Sequence, residues 1–264
     1  MARRRSSLAP ALWIPAGLAL ALLLLPLVAL VVRAPWAQLP ALLTEPTVAK
    51  ALGLSLVTAA IATGVCMVLG IPLALVLARS AQWPAIPRRL LRALITVPLV
   101  LPPVVGGVAL LLLLGRRGLI GQYLPFGIPF TSAAVVIAQV FVAMPFLVIA
   151  VEGALRASDR RFEVAAATLG ASRATVFWRV TLPLIAPGIA SGALLCFTRS
   201  LGEFGATITF AGSFPGTTQT LPISTYLLLQ TDPNAAIALS LVLMVVSVAV
   251  LVSLRDRWVP GVVS

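Results

Sequence analysis

Six stretches of this chain are long and apolar enough to cross a lipid bilayer, and this settles its solvent before any motif is read. They lie near Trp13–Val32, Leu54–Ala78, Leu90–Leu114, Thr131–Val151, Leu184–Leu201 and Ala235–Leu254. A helix needs about 20 residues to traverse ~30 Å of hydrocarbon. Composition agrees: 60% of the residues are hydrophobic and 10% charged, where a soluble domain carries roughly 25% charged residues. Too little polar surface exists to cover a globule in water. Lipid offers the backbone no hydrogen bonds, so each span must satisfy its own, and the helix does so within one segment. The expected fold is all-α, a polytopic membrane helix bundle with six transmembrane helices forming a single domain over residues 1–264.

A net charge of +12 in a soluble protein suggests nucleic acid, but here the basic residues do not build one face with interleaved aromatics. They sit in clusters between the apolar runs, as topology signals do. With the N-terminus inside, the inner segments carry Arg3, Arg4, Arg5, Arg79, Arg88, Arg89, Arg92, Arg156, Arg160, Arg161, Arg173, Arg179, Arg255 and Arg257. The outer segments carry Arg33, Lys50, Arg116 and Arg117. The positive-inside rule therefore places both termini in the cytoplasm. The partner is a lipid bilayer, not nucleic acid. The first stretch follows three arginines, as a signal peptide does, but it is long for one and no small-x-small cleavage site follows, so an uncleaved span is expected. Cys66 and Cys196 both fall inside apolar runs and read as small buried hydrophobes. Histidine is absent, which excludes a Ser-His-Asp triad and any histidine metal site.

One long inner loop, residues 152–183, interrupts this pattern. Five arginines over residues 152–183 keep it out of the hydrocarbon. Ser158 or Asp159 can start a helix. Phe162, Ala165, Ala166 and Leu169 then recur at helical spacing on one face. Gly170 suits the left-handed position that closes a helix. Ser172 can cap a second short helix carrying Val176, Phe177 and Val180, and Leu182-Pro183 ends the loop and opens the fifth span. Helix pattern alone leaves two readings open: a helix lying on the membrane, or a surface whose small alanines let another protein's backbone come close.

The loop resembles the EAA loop of bacterial ATP-binding-cassette (ABC) importer permeases, in which EAA is followed by three residues, glycine, nine residues and Ile-x-Leu-Pro. Ala165, Ala166, Gly170, Val180, Leu182 and Pro183 stand at the expected distances. Glu163 sits one place earlier than the consensus acid, with Val164 in its slot. Pro98-Leu-Val-Leu-Pro-Pro-Val-Val-Gly-Gly107, the Leu-Gly-Arg-Arg-Gly of residues 114–118, Arg199-Ser-Leu-Gly-Glu-Phe-Gly-Ala-Thr-Ile-Thr-Phe210 and Thr218-Gln-Thr-Leu-Pro222 with Tyr226 are similar to permeases for tetrahedral oxyanions, molybdate permeases most closely. Sulfate permeases share a related Gly-Glu-Phe/Tyr-Gly pattern. The likeness covers about residues 45–254, the expected core.

This resemblance implies a type I ABC importer permease-like fold and a coupling helix that docks on a separate ATPase. The chain lacks the G-x-x-x-x-G-K-[ST] phosphate loop, so ATP and Mg would belong to that partner and this chain would carry no cofactor. One coupling loop per chain, against a pair of ATPase sites, implies a second copy of the chain, two ATPase subunits and an extracytoplasmic oxyanion-binding protein, in the cytoplasmic membrane of a prokaryote. No catalytic residue is expected.

The residues add their own reading. Pro98, Pro102, Pro103, Gly106 and Gly107 fall in the middle of the third span. Interrupted helices near the midplane mark transport pathways, because freed backbone groups need a polar cavity or neighbours; an ordinary proline kink is the plainer alternative. Arg199 and Glu203 stand one turn apart, a spacing that lets them neutralise each other. They either hold a helix in the bundle or set the field for an anion, with Thr207 and Thr209 offering hydroxyl donors. Arg116 and Arg117 break the positive-inside trend and fit either a docking loop or interfacial snorkelling. Within Gly212–Asn234, the apolar Ile223–Leu229 run is too short to span and is expected as a short helix at the outer mouth. A secondary transporter would need ion-coupling residues in its spans, and a membrane enzyme a catalytic constellation; the sequence offers little for either.

Overall fold

The computed structural model describes residues 12–258; Arg3, Arg4 and Arg5 lie outside the described residues. All regular elements among them are helical. In chain order these are α1 (Trp13–Val32), α2 (Leu39–Thr44), α3 (Pro46–Arg79), α4 (Ala85–Val100), α5 (Pro103–Leu114), α6 (Ser132–Ala157), α7 (Arg161–Thr168), α8 (Arg173–Val176), α9 (Leu182–Leu201), α10 (Gly205–Ala211), α11 (Leu221–Thr231) and α12 (Pro233–Trp258). Five helices, α8 and α9 counted as one, are long and apolar enough to cross a membrane, and the bent pair α4–α5 supplies a sixth.

The centre is a mutual packing of α3, α6 and α9. Small residues make it close. Gly188 and Gly192, four apart on α9, face Ala154 and Ala150 of α6; a Cβ on Gly192 would stand 3.0 Å from the Ala150 Cβ, and one on Gly188 would collide with Ala154. On α3, a Cβ at Gly70 would lie 2.8 Å from the Leu147 side chain of α6. Lipid tails are as apolar as leucine, so close backbone approach and van der Waals packing hold such helices together. Cys66 and Cys196 form no disulfide and are buried in this cluster beside Leu147, Val148 and Ile185, as small hydrophobes should be. Helix α1 buries none of its own residues and touches α12.

The third span departs from a kinked rod. Its halves α4 and α5 diverge by 113°. Proline disfavours the helical conformation for the residue before it, and two prolines in succession apply this bias twice. Leu101 (φ −64°, ψ 132°) and Pro102 (φ −53°, ψ 132°) are accordingly extended.

The fifth span departs in the opposite sense, by continuity. Leu182-Pro183 does not separate it from the loop: α8 runs through a π-helical turn, Phe177–Thr181, into α9. Pro183 has no N–H for the carbonyl one turn back, and a widened turn before it absorbs the misfit. Helix α11 is the short helix expected around Ile223–Leu229. It packs on α12 and α3, and its Leu221 N–H donates to the buried Ser55 Oγ at 2.7 Å.

Replacing Gly188 by leucine should cost about 1–3 kcal/mol through overpacking, read as earlier thermal unfolding in detergent. Gly153→Leu, on the partner helix α6 but with open space at its Cβ position, should leave the transition nearly unmoved.

Candidate translocation and coupling sites

The structure brings together two segments distant in sequence. Helix α5, which starts at the Pro102-Pro103 break, lies directly on α10. A Cβ on Gly107 would stand 2.7 Å from the Thr209 Cβ and 2.8 Å from the Ala206 carbonyl oxygen, and one on Gly205 would stand 2.9 Å from the Pro103 Cβ. Backbone therefore meets backbone, and glycine is what permits it. Gly106 is buried against the ring of Phe141 on α6 instead. Pro102 and Pro103 remain exposed.

The charged pair marks the second break. Arg199 occupies the last turn of α9, and Glu203 lies in the short bend before α10. Arg199 Nη1 is 2.7 Å from Glu203 Oε2. That contact is poorly aligned for a hydrogen bond, so the attraction is mainly ionic. The other carboxylate oxygen accepts the Ala206 N–H at 2.9 Å and so caps α10. Glu203 is 1% exposed, while the Arg199 side chain is 28% exposed. One member of the pair is thus sealed in protein and the other reaches outward.

The two threonines differ. The Thr209 hydroxyl donates to the Gly205 carbonyl at 2.8 Å, so its one proton is already committed. The Thr207 hydroxyl is fully buried and has no hydrogen-bond partner among the described residues.

At the arginine-rich end, the loop stands clear of the bundle. Helix α7 buries none of its residues; Phe162, Val164, Ala165 and Leu169 are exposed, Leu169 to 89%. Its termination follows the expectation. Gly170 has φ +84°, its N–H donates to the Ala167 carbonyl at 3.0 Å, and the Ala171 N–H donates to the Ala166 carbonyl at 3.1 Å. This is a Schellman closure, which favours glycine at the left-handed position. Asp159 Oδ1 accepts the Arg161 N–H at 2.9 Å and Ser172 Oγ accepts the Thr175 N–H at 3.1 Å, so both short helices are capped. Glu163 Oε1 accepts the Thr181 hydroxyl at 2.6 Å. That bond ties α7 to the base of α9, a role that its displacement from the consensus position did not reveal. Val180, Leu182 and Pro183 lie on the continuous π turn and first turn of α9.

Sequence reasoning missed two further groups. Glu152, buried, bonds Arg92 of α4 and lies 2.8 Å from Arg156; its four-residue spacing from Arg156 was the available signal. Gln139 of α6 donates to Thr58 of α3 at 3.2 Å inside the bundle, and a lone glutamine in an apolar run gave no partner. Among the described residues no cluster of His, Cys, Asp or Glu could hold a metal ion.

A broken-helix bundle bearing an exposed, capped helix at its basic end is the architecture of an ABC importer membrane subunit. Among solved structures it resembles a bacterial alginate ABC transporter, with a TM-score of 0.70 at 17% identity over 93% of this chain and 92% of that one. The chain belongs to the family of binding-protein-dependent transport system inner membrane components, whose model matches residues 70–260. It is 54% identical to the molybdenum transport system permease protein ModB of Mycobacterium tuberculosis over 248 residues, 93% of each chain. It is 45% identical to the ModB protein of Escherichia coli over 175 residues, 65% of this chain and 76% of that one.

Glu203→Gln keeps the oxygen that caps α10 but leaves Arg199 uncompensated. It should destabilise the chain by ~2 kcal/mol, near the low end of insertion costs for a membrane charge because Arg199 is partly exposed. Arg199→Gln should cost less in that background than in the native chain. A double-mutant unfolding cycle in detergent measures the coupling, and additive effects would show that the two residues act separately.

Proposed function

We propose that this chain is the permease subunit of an ABC importer that moves molybdate across the cytoplasmic membrane by alternating access. The observation that carries the substrate is the 54% identity, over nearly the whole of both chains, with a protein named for molybdenum transport. The exposed, capped α7 carries the coupling: an apolar and alanine-rich helix held out from the bundle needs a partner surface.

In this reading the chain forms a homodimer, binds two ATPase subunits through residues 152–183, and receives its anion from an extracytoplasmic binding protein. Both termini and the arginine-rich end face the cytoplasm. ATP closes the ATPase pair, the coupling helices follow, and the two bundles rock outward-open; hydrolysis resets them. ATP and Mg are held by the partner, and no covalent chemistry takes place on this chain, which acts as one transmembrane domain. Glu163, Ala165, Ala166 and Gly170 present the loop. At the α5–α10 junction the exposed Pro102 and Pro103 border the route, Gly106 and Thr207 pack behind them, and Arg199 gives it a positive field that Glu203 moderates. Thr209 supports α10 and presents no free donor.

The chain reconstituted with its ATPase and binding protein should accumulate labelled molybdate when ATP is supplied. Competition by tungstate but not sulfate supports the molybdate reading; equal loss to sulfate moves the assignment to sulfate transport, and no ATP dependence removes the importer reading. Arg199→Gln, if Arg199 shapes the route, should lower uptake while ATPase assembly persists.

Gly170→Asp tests coupling. Its Cβ position is open, so the direct cost is the left-handed backbone, roughly 1–2 kcal/mol for a residue with a side chain. Uptake should fall by about tenfold or more while the spans stay folded. Normal uptake in the assembled variant would sink the coupling role of this loop.

A further inference from the structure

At the arginine-rich end, the last turns of α3 and α6, the start of α7 and the base of α9 enclose a cavity of about 470 Å³. Its wall carries Arg79, Arg156 and Arg160 against a single acid, Glu163. Arg156 already faces the buried Glu152, and Glu163 has one oxygen engaged by Thr181. The guanidinium groups of Arg79 and Arg160 make no ion pair or hydrogen bond among the described residues. Arg88 adds a fourth guanidinium close by, through its bond to the Ala81 carbonyl on the same wall.

Arg79 ends α3 and complements that helix's C-terminal dipole, but an exposed interaction of this kind is weak and leaves most of its donors free. Arg160 has no such role, because it stands at the start of α7. Two exposed arginines whose guanidinium groups have no partner among the described residues line this one concave space, and guanidinium matches the oxygens of a tetrahedral anion, which arginine binds in a forked, charge-assisted geometry. The space accommodates a hydrated dianion or the phosphate of a lipid head group.

We propose that this cavity binds a tetrahedral oxyanion group, held by Arg79 and Arg160 with Arg156 in support. Two of its walls belong to the bundle and two to the coupling loop and its junction with α9. An occupant therefore ties loop to bundle by charge, as Glu163 and Thr181 do by a hydrogen bond. This consequence for transport rests on the importer reading given above; the binding itself does not.

The test uses the chain assembled with its ATPase in nanodiscs. In phosphatidylcholine discs, equilibrium dialysis with labelled phosphate and with molybdate measures free-anion binding. In discs containing phosphatidylglycerol, native mass spectrometry counts retained anionic lipid. Because the ATPase binds phosphates itself, the comparison is between the native chain and Arg79→Gln/Arg160→Gln. That pair should lose at least about tenfold in affinity for one of the probes, the size of one lost charge-assisted contact. Arg89→Gln, which removes one positive charge from α4 outside the cavity wall, should lose none. If the double glutamine variant fails to insert, Arg79→Lys/Arg160→Lys keeps the charge and should still weaken binding by losing the forked geometry. Loss of dialysable phosphate or molybdate assigns a free anion; loss of phosphatidylglycerol alone assigns a lipid head group. If neither probe separates the native chain from the arginine variants, there is no anion site here. Binding is read without transport, so failure of the importer reading would leave this outcome interpretable.

Discussion

Hydrocarbon gives a peptide group nothing to bond with, and the shape of this molecule follows from that. A helix may stop inside a membrane bundle only where other protein covers the stop or a water-filled cavity meets it. The chain breaks at Leu101–Pro102 and again at Gly202–Phe204, and helix α5, begun at the first break, lies on α10, begun at the second. The cover is close because Gly107 and Gly205 have no Cβ: each presents backbone where a side chain would hold the two elements apart. Glu203 completes the arrangement by accepting the N–H of Ala206, one of the donors that a helix start leaves open. Prolines make the first break, a carboxylate caps the second, and glycines let the two meet.

Acidic residues are scarce, seven in the chain, and those with described side chains are placed at joints. Asp159 and Asp232 accept backbone N–H groups at the starts of α7 and α12. Glu152 joins α4 to α6 through Arg92, Glu163 joins α7 to the base of α9, and Glu203 joins α9 to α10. The bond to Arg92 matters because α4 and α5 diverge so sharply that α4 cannot inherit its position from α5. In an apolar medium a carboxylate is costly unless paired; the chain uses few, and each carboxylate with a described side chain has a partner, Glu45 through the Thr47 hydroxyl.

How much of this was legible in sequence depended on whether the cause was local. The six apolar stretches, the capped and glycine-closed loop and the short helix after residue 220 are encoded by neighbours in the chain, and all were readable. The Pro102-Pro103 break was legible as a break but not as a bend of 113°, because its angle is set by what α5 packs on. The expected stop at Leu182-Pro183 became a π turn, since a helix held by packing on both sides accommodates a proline more cheaply than it ends. Gln139 with Thr58, and Glu163 with Thr181, are pairings between distant segments; spacing along the chain carries no trace of them. The Gly188/Gly192 face was present as a four-residue interval, but its partner alanines on α6 were not.

The continuity of α8 through α9 has a mechanical consequence. Twenty residues of α9 at 1.5 Å each make a rod of about 30 Å. One end begins at the π turn that holds Thr181, which bonds α7; the other carries Arg199 in its last turn, one turn before the carboxylate that caps α10. The loop and the junction are therefore two ends of one element. Along its length this rod packs on α6 through glycine and alanine, an interface with few side chains to unlock. A displacement imposed on α7 has a direct route to the broken helices, and the π turn at its foot is the one place where the helix is locally widened. An exposed loop joined to the bundle by flexible chain would transmit little. Joined by a rod, it is mechanically continuous with the junction between α5 and α10.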